Sequence, residues 1–300
     1  MEPVHYVKGD VSLETGNIIF LGSVVVSGNV QDNFTVKAAG NIEVKGSVQK
    51  AFLEAEGDII VRQGISGRDE AKIESTGGSV YAKFVTGATI IAEKLVSVPE
   101  GIVQSRIDAG ERVLCFGKKA RIVGGVTRAG DEINARSIGS DVSTKTELWV
   151  GINPKVLQQI ADLESMKNEI DEELVQVKLN LKTLEAQKRG GGKFSEEKEK
   201  TYQEMTSKNE KLNARIDEIN LELEELREYT GMLERKGKIC AEKTAFSGVE
   251  MHIIDEYYPL RDNYNHVKFH LEGGRFKISA YEPPDEKDEK GKITTVIRKR

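Results

Sequence analysis

Four histidines, two cysteines and a scatter of carboxylates are the residues of this 300-residue chain that could do chemistry. His266 and His270 stand four apart, the spacing that places two metal ligands on one face of a helix. Here they alternate with Val267, Phe269 and Leu271, a strand pattern. On a strand the two rings share a face but sit about 13 Å apart at roughly 3.3 Å per residue, too far to share a metal. No Cys cluster assists them, and His5 and His252 complete the four. Asp58, Asp69, Glu70 and Asp108 offer the paired carboxylates that a polysaccharide hydrolase or lyase would use for acid and base. They fall at corners or alternate with apolar residues, so solvated, outward carboxylates are expected. Gly64-Ile-Ser-Gly67 and Gly124-Gly125 lack the following helix or Gly-Lys-Ser/Thr of a phosphate loop, and corner glycines with positive φ account for them. Cys115 and Cys240 lie far apart and outside any CxxC, and Cys115, on an inward column, reads as a small buried hydrophobe in a reducing compartment. No catalytic, cofactor-binding or metal-binding residue is assigned. A β-helical polysaccharide enzyme is the weakest of the readings below.

The elements that would position these residues come from a repeat. Gly22-Ser-Val-Val-Val returns as Gly40-Asn-Ile-Glu-Val, Gly57-Asp-Ile-Ile-Val and Gly78-Ser-Val-Tyr-Ala, then as Lys94-Leu-Val-Ser-Val, Glu111-Arg-Val-Leu-Cys and Asp131-Glu-Ile-Asn-Ala. The starts are 16 to 21 residues apart. Each unit carries one apolar pair early (Val24/Val26, Ile42/Val44, Ile59/Val61) and another late (Val36/Ala38, Leu53/Ala55, Ile73/Ser75). A third, weaker position falls at Val30, Val48, Val85, Ile102, Ile122 and Ile138. Three short half-buried strands with two or three corner residues each make one coil of about 18 residues. The fold class expected is mainly β: a right-handed parallel β-helix, because parallel crossovers favour that hand and the spacing breaks the strict hexads of the left-handed type.

After Asn153-Pro154 the period changes. Val156, Ile160, Leu163, Lys167, Ile170, Leu174, Val177, Leu181 and Leu184 alternate four and three apart. Past the glycines of Arg189-Gly-Gly-Gly-Lys193 the alternation resumes from Met205 through Asn209, Ile219, Leu223 and Leu226. This heptad seam predicts an antiparallel α-helical coiled-coil hairpin inserted in the β-helix, its arms reaching about 50 Å. Lys167 and Asn209 on the seam are read as register-setting or as a charged tip snorkelling out to water rather than as ligands, and Ser195 as the cap of the second arm. Alternation returns at Ile239/Ala241, Val249/Met251/Ile253, Val267/Phe269/Leu271 and Phe276/Ile278, strands expected to close the stack, with Tyr257, Tyr258, Pro259 and Tyr264 as a turn-rich cap. The domains expected are therefore a β-helix over 1–152, the hairpin over 153–236, closing strands over 237–282 and a disordered tail over 283–300.

Val11 and Leu13 follow Gly9 at the usual offsets, but only 13 residues separate Gly9 from Gly22, so an incomplete first coil is expected, as in a fragment cut from a larger protein. No apolar run approaches 18 residues and the N-terminus lacks a signal peptide's basic and apolar regions, so neither membrane insertion nor secretion is expected. A net charge of −5 argues against nucleic acid as a partner.

Thr15-Gly-Asn-Ile-Ile-Phe, Gly22-Ser-Val-Val-Val-Ser-Gly-Asn-Val, Ala82-Lys-Phe-Val, Ile122-Val-Gly-Gly-Val-Thr-Arg-Ala-Gly and Thr146-Glu-Leu-Trp-Val-Gly, followed by helical heptads, resemble the flagellar assembly protein A family from about Tyr6 to Glu282. Pro99-Glu-Gly departs from the polar turn usual there and leaves that corner's conformation open. The resemblance implies a cytoplasmic bacterial protein of flagellar assembly, without established catalysis and with a further domain before the β-helix that this chain lacks. Two functions compete. One is an adaptor whose rigid β-helix presents the hairpin to a protein partner of the flagellar or cell-pole machinery, with the tip near Arg189, Lys193 and Phe194 as docking point. The other is a homo-oligomer, a scaffold polymerising end to end as bactofilins do.

Overall fold

The computed structural model describes residues 3–142, 144–189, 195–232 and 237–284. Among them, 21 strands join in one sheet wound as a parallel solenoid, and two helices lie between its sixteenth and seventeenth strands. Three interior columns run through the stack. Val24, Ile42, Ile59, Val80, Val96, Val113, Ile133 and Ile239 succeed one another in register on the first face. Ile18, Val36, Leu53, Ile73, Ile90, Ile107, Thr127, Leu148 and Met251 form the second. Val11, Val30, Val48, Ile65, Val85, Ile102, Ile122, Ile138 and Ala245 form the third. All are buried. At roughly 2 to 3 kcal/mol for each aliphatic side chain, the burial explains why the coils fold only together.

Ile65 fills the third column in a coil where the sequence reading names no residue. From there on, the third and second columns share continuous strands: Ile65–Ser75, Phe84–Ala92, Gly101–Ala109 and Arg121–Ala129. Each bends where a residue takes a positive φ, at Asp69 (66°), Gly87 (55°), Gln104 (44°) and Gly124 (74°). The other corners are held by side chains. Asp10 Oδ1 accepts the Asn29 backbone N–H at 2.8 Å, and Asn29 Oδ1 accepts that of Ser47 at 2.8 Å. A parallel ladder runs from Ser23 Oγ to Asn41 N, from Asn41 Oδ1 to Asp58 N, and from Asp58 Oδ1 to Ser79 N. Corner N–H groups that no strand could pair are thus satisfied one coil away. The Pro99-Glu-Gly corner keeps its place in the stack through Glu100 N–H to the Lys83 carbonyl, 2.9 Å.

Two expectations are corrected. The first coil is not short: Val4–Val7 pairs with Ser23–Val26, Val11 with Val30 and Ile18–Phe20 with Val36–Ala38, so all three faces are present. Val11 belongs to the third column rather than the first, and Leu13 is 92% exposed in a turn. The offset from Gly9 misled because the chain has its first-face strand before that glycine. Nor is the aromatic segment a turn. Glu256–Pro259 is a strand antiparallel to Val249–Ile253, and Tyr264–Glu272 runs antiparallel to Lys238–Ala245. Arg275–Ala280 pairs outside Tyr264–Glu272, and Phe269, fully buried, plugs the closing end.

The chain leaves the stack after Val150 and re-enters at Lys238, which pairs with Glu132. Gly151 and Gly237 meet at this junction, where a Cβ on Gly237 would stand 2.8 Å from the Gly151 nitrogen. Between them, residues 155–233 form a compact unit separate from 1–154 with 234–300. Helix α1 (Pro154–Arg189) starts at its proline, and α2 (Glu196–Met232) is capped by Ser195, whose Oγ accepts the Lys198 N–H at 3.3 Å. Of the tail expected from Pro283 onward, residues 285–300 lie outside the described residues.

Candidate functional site

The residues that could do chemistry are held in structural roles. Asp58 belongs to a corner ladder, Asp69 sits at a bend, and Glu70 pairs with Lys50 at 2.6 Å. Asp108 is not solvated as expected. It is 7% exposed because Arg106 and Arg128 close over it, Arg128 Nη2 donating at 2.7 Å and Arg106 Nε at 3.2 Å. Gly124 and Gly125 do take positive φ, but Gly64 and Gly67 do not. Those two are glycines because a Cβ would strike the Phe84 ring at 2.4 Å or the Gly87 carbonyl at 2.3 Å. Cys115 and Cys240 are buried, and burial pushes both thiols up to about 12. His266 Nδ1 lies 3.1 Å from the Glu242 carbonyl. His270 is pushed down by burial and by Lys268, its Nδ1 buried without a hydrogen-bond partner among the described residues. His5 stands at the first coil, its ring 5.5 Å from Phe20. Among the described residues, no group of three or more His, Cys, Asp or Glu is placed to hold a metal.

The helices are built for contact with each other and with water. Leu163, Ile219 and Leu223 form a buried core flanked by Ile160, Ile170 and Leu226, all on the expected seam. Cross-helix pairs show the arms to be antiparallel: Glu164 with Arg227, Lys167 with Asn220, Glu173 with Lys208 and Lys188 with Glu199. Lys167 Nζ donates to Asn220 Oδ1 at 2.7 Å, so this seam residue reaches the rim. Asn209 stays inside, its Oδ1 buried without a hydrogen-bond partner among the described residues. Of the expected docking residues, Arg189 is exposed at the end of α1, while Lys193 and Phe194 lie outside the described residues. A groove of about 480 Å³ runs beside the seam, floored by Leu163, Met166 and Leu226 and rimmed by Asp162, Glu222 and Glu225. Met166 is 44% exposed within it. An apolar floor and a rim of three acids with Gln159 suit a basic, amphipathic segment.

A second feature escaped the sequence reading. Trp149 and His252 stack face to face at 3.6 Å, with Tyr257 against the same His ring at 4.9 Å. Trp149 Nε1 donates to Glu147 Oε1 at 2.6 Å. Burial pushes His252 down, opposed by the Glu147 and Glu250 carboxylates. Trp149 and His252 are register partners on adjacent coils, but the helical insertion puts 102 residues between them, hiding the pairing from any local pattern.

Among the described residues, no helix is long and apolar enough to cross a membrane. Neither the curated proteins nor the solved structures offer a significant match to the chain. A family model does: the Flagellar Assembly Protein A beta solenoid domain matches residues 3–276, running through every interior column of the solenoid and both helices. The chain therefore belongs to the flagellar assembly protein A family.

Proposed function

We propose that the protein is a non-enzymatic, cytoplasmic adaptor of bacterial flagellar assembly, in which the solenoid is a rigid mount and the helices a coiled-coil hairpin that docks a protein partner. The observation carrying this reading is the makeup of residues 155–233. Two helices of 36 and 37 residues bury little besides their shared seam, leaving a charged surface with an acidic, apolar-floored groove around Met166. A partner segment that is basic and amphipathic fits that groove, with Arg189 at the far end of α1 as a secondary contact.

The test is replacement of residues 155–236 by a short glycine linker in a flagellated bacterium that depends on this protein. The variant should accumulate and melt like the parent solenoid yet fail to restore flagella. Restored flagellation would sink the docking role. One observation favours a scaffold as second reading. Leu13 and Leu21 on the first coil are 92% and 88% exposed, and among the described residues Val4–Val7 has a strand neighbour on one side only. Sedimentation over a wide concentration range separates the readings, since an adaptor keeps a fixed mass and an end-to-end polymer does not.

A further inference from the structure

One edge of the solenoid gathers cations that have no ion pair among the described residues. Over much of the body the basic side chains are matched: Lys37 with Glu54, Lys50 with Glu70, Lys72 with Glu74 and Arg128 with Asp108. On the edge where the first face turns into the third, Arg62 and Lys83 are matched as well, by Glu43 and Glu100. Toward the closing end of that edge the matching stops. Lys118, Lys119, Arg121, Arg136 and Lys243 have no ion pair among the described residues, and all but the half-buried Arg136 are exposed. Glu242, beside Lys243, offsets one of these charges.

Topology makes the five neighbours. Cys115, Ala135 and Ala241 are register partners near the ends of successive first-face strands, and Arg121 sits opposite Ser137. The residues that follow them, 116–121, 136–137 and 242–244, therefore stack at one corner, within about 10 Å along the solenoid at roughly 4.8 Å per strand.

The first of these corners is also the longest. Six residues separate the column residues Cys115 and Ile122, where the other coils use two or three, as from Ala82 to Val85 or Val98 to Ile102. Ala120 turns back into the core, its N–H donating to the Gly117 carbonyl at 3.1 Å. Lys118 and Lys119 are left at the apex of a turn that stands out from the edge.

In a chain of net charge −5 this corner is a local reversal of sign. A convex patch of exposed cations offers no trough to a strand of peptide or nucleic acid. It does lie well against a plane of opposite charge, where long lysine stems reach toward the headgroups. We propose that the 116–121 turn, with Arg136 and Lys243, docks the solenoid on the anionic surface of a lipid bilayer, with no segment inserted.

Vesicle sedimentation with the full chain tests the docking. At about 0.1 M salt, phosphatidylcholine vesicles containing about one third phosphatidylserine should bind at least about tenfold more protein than phosphatidylcholine alone, and about 0.5 M salt should release it. The variant Lys118→Glu, Lys119→Glu, Lys243→Glu changes only exposed positions, so it should melt like the parent yet fall to the phosphatidylcholine level. Lys178→Glu, Lys182→Glu, Lys211→Glu makes the same change in net charge on the helices and should bind like the parent. Equal binding to both vesicles, or an edge variant that still binds, overturns the proposal. So does an equal loss in both variants, because overall charge and not the corner would then govern binding. A DNA duplex that binds the parent more tightly than the vesicles do overturns it in favour of nucleic acid.

Discussion

The solenoid and the helix pair answer the same problem, an element that cannot bury its apolar side alone, in opposite ways. In the solenoid every coil donates three columns to a shared interior, and the backbone pairs with the coils on either side. The loss of one inward residue is therefore felt through the stack. In the helix pair the backbone bonds are internal to each helix, and only a narrow seam around Leu163, Ile219 and Leu223 couples the two. A shared interior and a local seam result from one chain because the apolar period changes at Pro154.

The sharpest way to break the comparison is Ile59→Asp. A carboxylate at this fully buried position, between Ile42 and Val80 in the column, should cost on the order of 5 kcal/mol, abolishing the cooperative β transition in thermal melts. A parent-like melt would show that the column does not act as one core. Next comes Leu223→Ala, which should cost about 2 to 3 kcal/mol and be confined to the helices. Helical circular dichroism should melt early while the β signal melts as before, and joint melting of both would end the contrast.

The smallest effect sharpens the picture within the solenoid. Lys238 and Lys268 hold the Glu282 carboxyl well below its ordinary 4.5, to about 2. A depressed acid favours the folded state above about pH 4.5 and loses that contribution as pH falls toward 2. The Glu282 side chain is 46% exposed, so solvent screening leaves about 1 kcal/mol or less. Glu282→Gln should melt lower than the parent at pH 6 and coincide with it near pH 2. Parallel curves across the range would show that the ion pairs are not what holds the segment.

The interior was legible because it repeats. Val24, Ile42 and Ile59 announce a column by type and spacing, and the structure stacks them in register. The heptad seam was legible for the same reason, in Ile160, Leu163, Ile170, Ile219, Leu223 and Leu226. What repetition does not encode stayed hidden. Asp108 looks like any outward carboxylate until Arg128 arrives from the next coil. Val25, Ile60 and Leu114 sit at positions where alternation says solvent, yet all three are buried. The first coil was misread because its strand at Val4–Val7 precedes the glycine used to count. Gly64 and Gly67 were given the wrong reason, since close approach leaves no trace in the residue type.

The junction of Gly151 and Gly237 has a consequence for how such a molecule changes over time. Because the exit and re-entry points touch, and Glu132 pairs with Lys238 as though nothing intervened, the solenoid places almost no demand on what lies between them. Closing a longer loop costs only about 0.6 kcal/mol for each doubling of its length. The site behaves as a cassette port: any insert whose two ends meet can be exchanged, lengthened or lost without rewriting a single column residue.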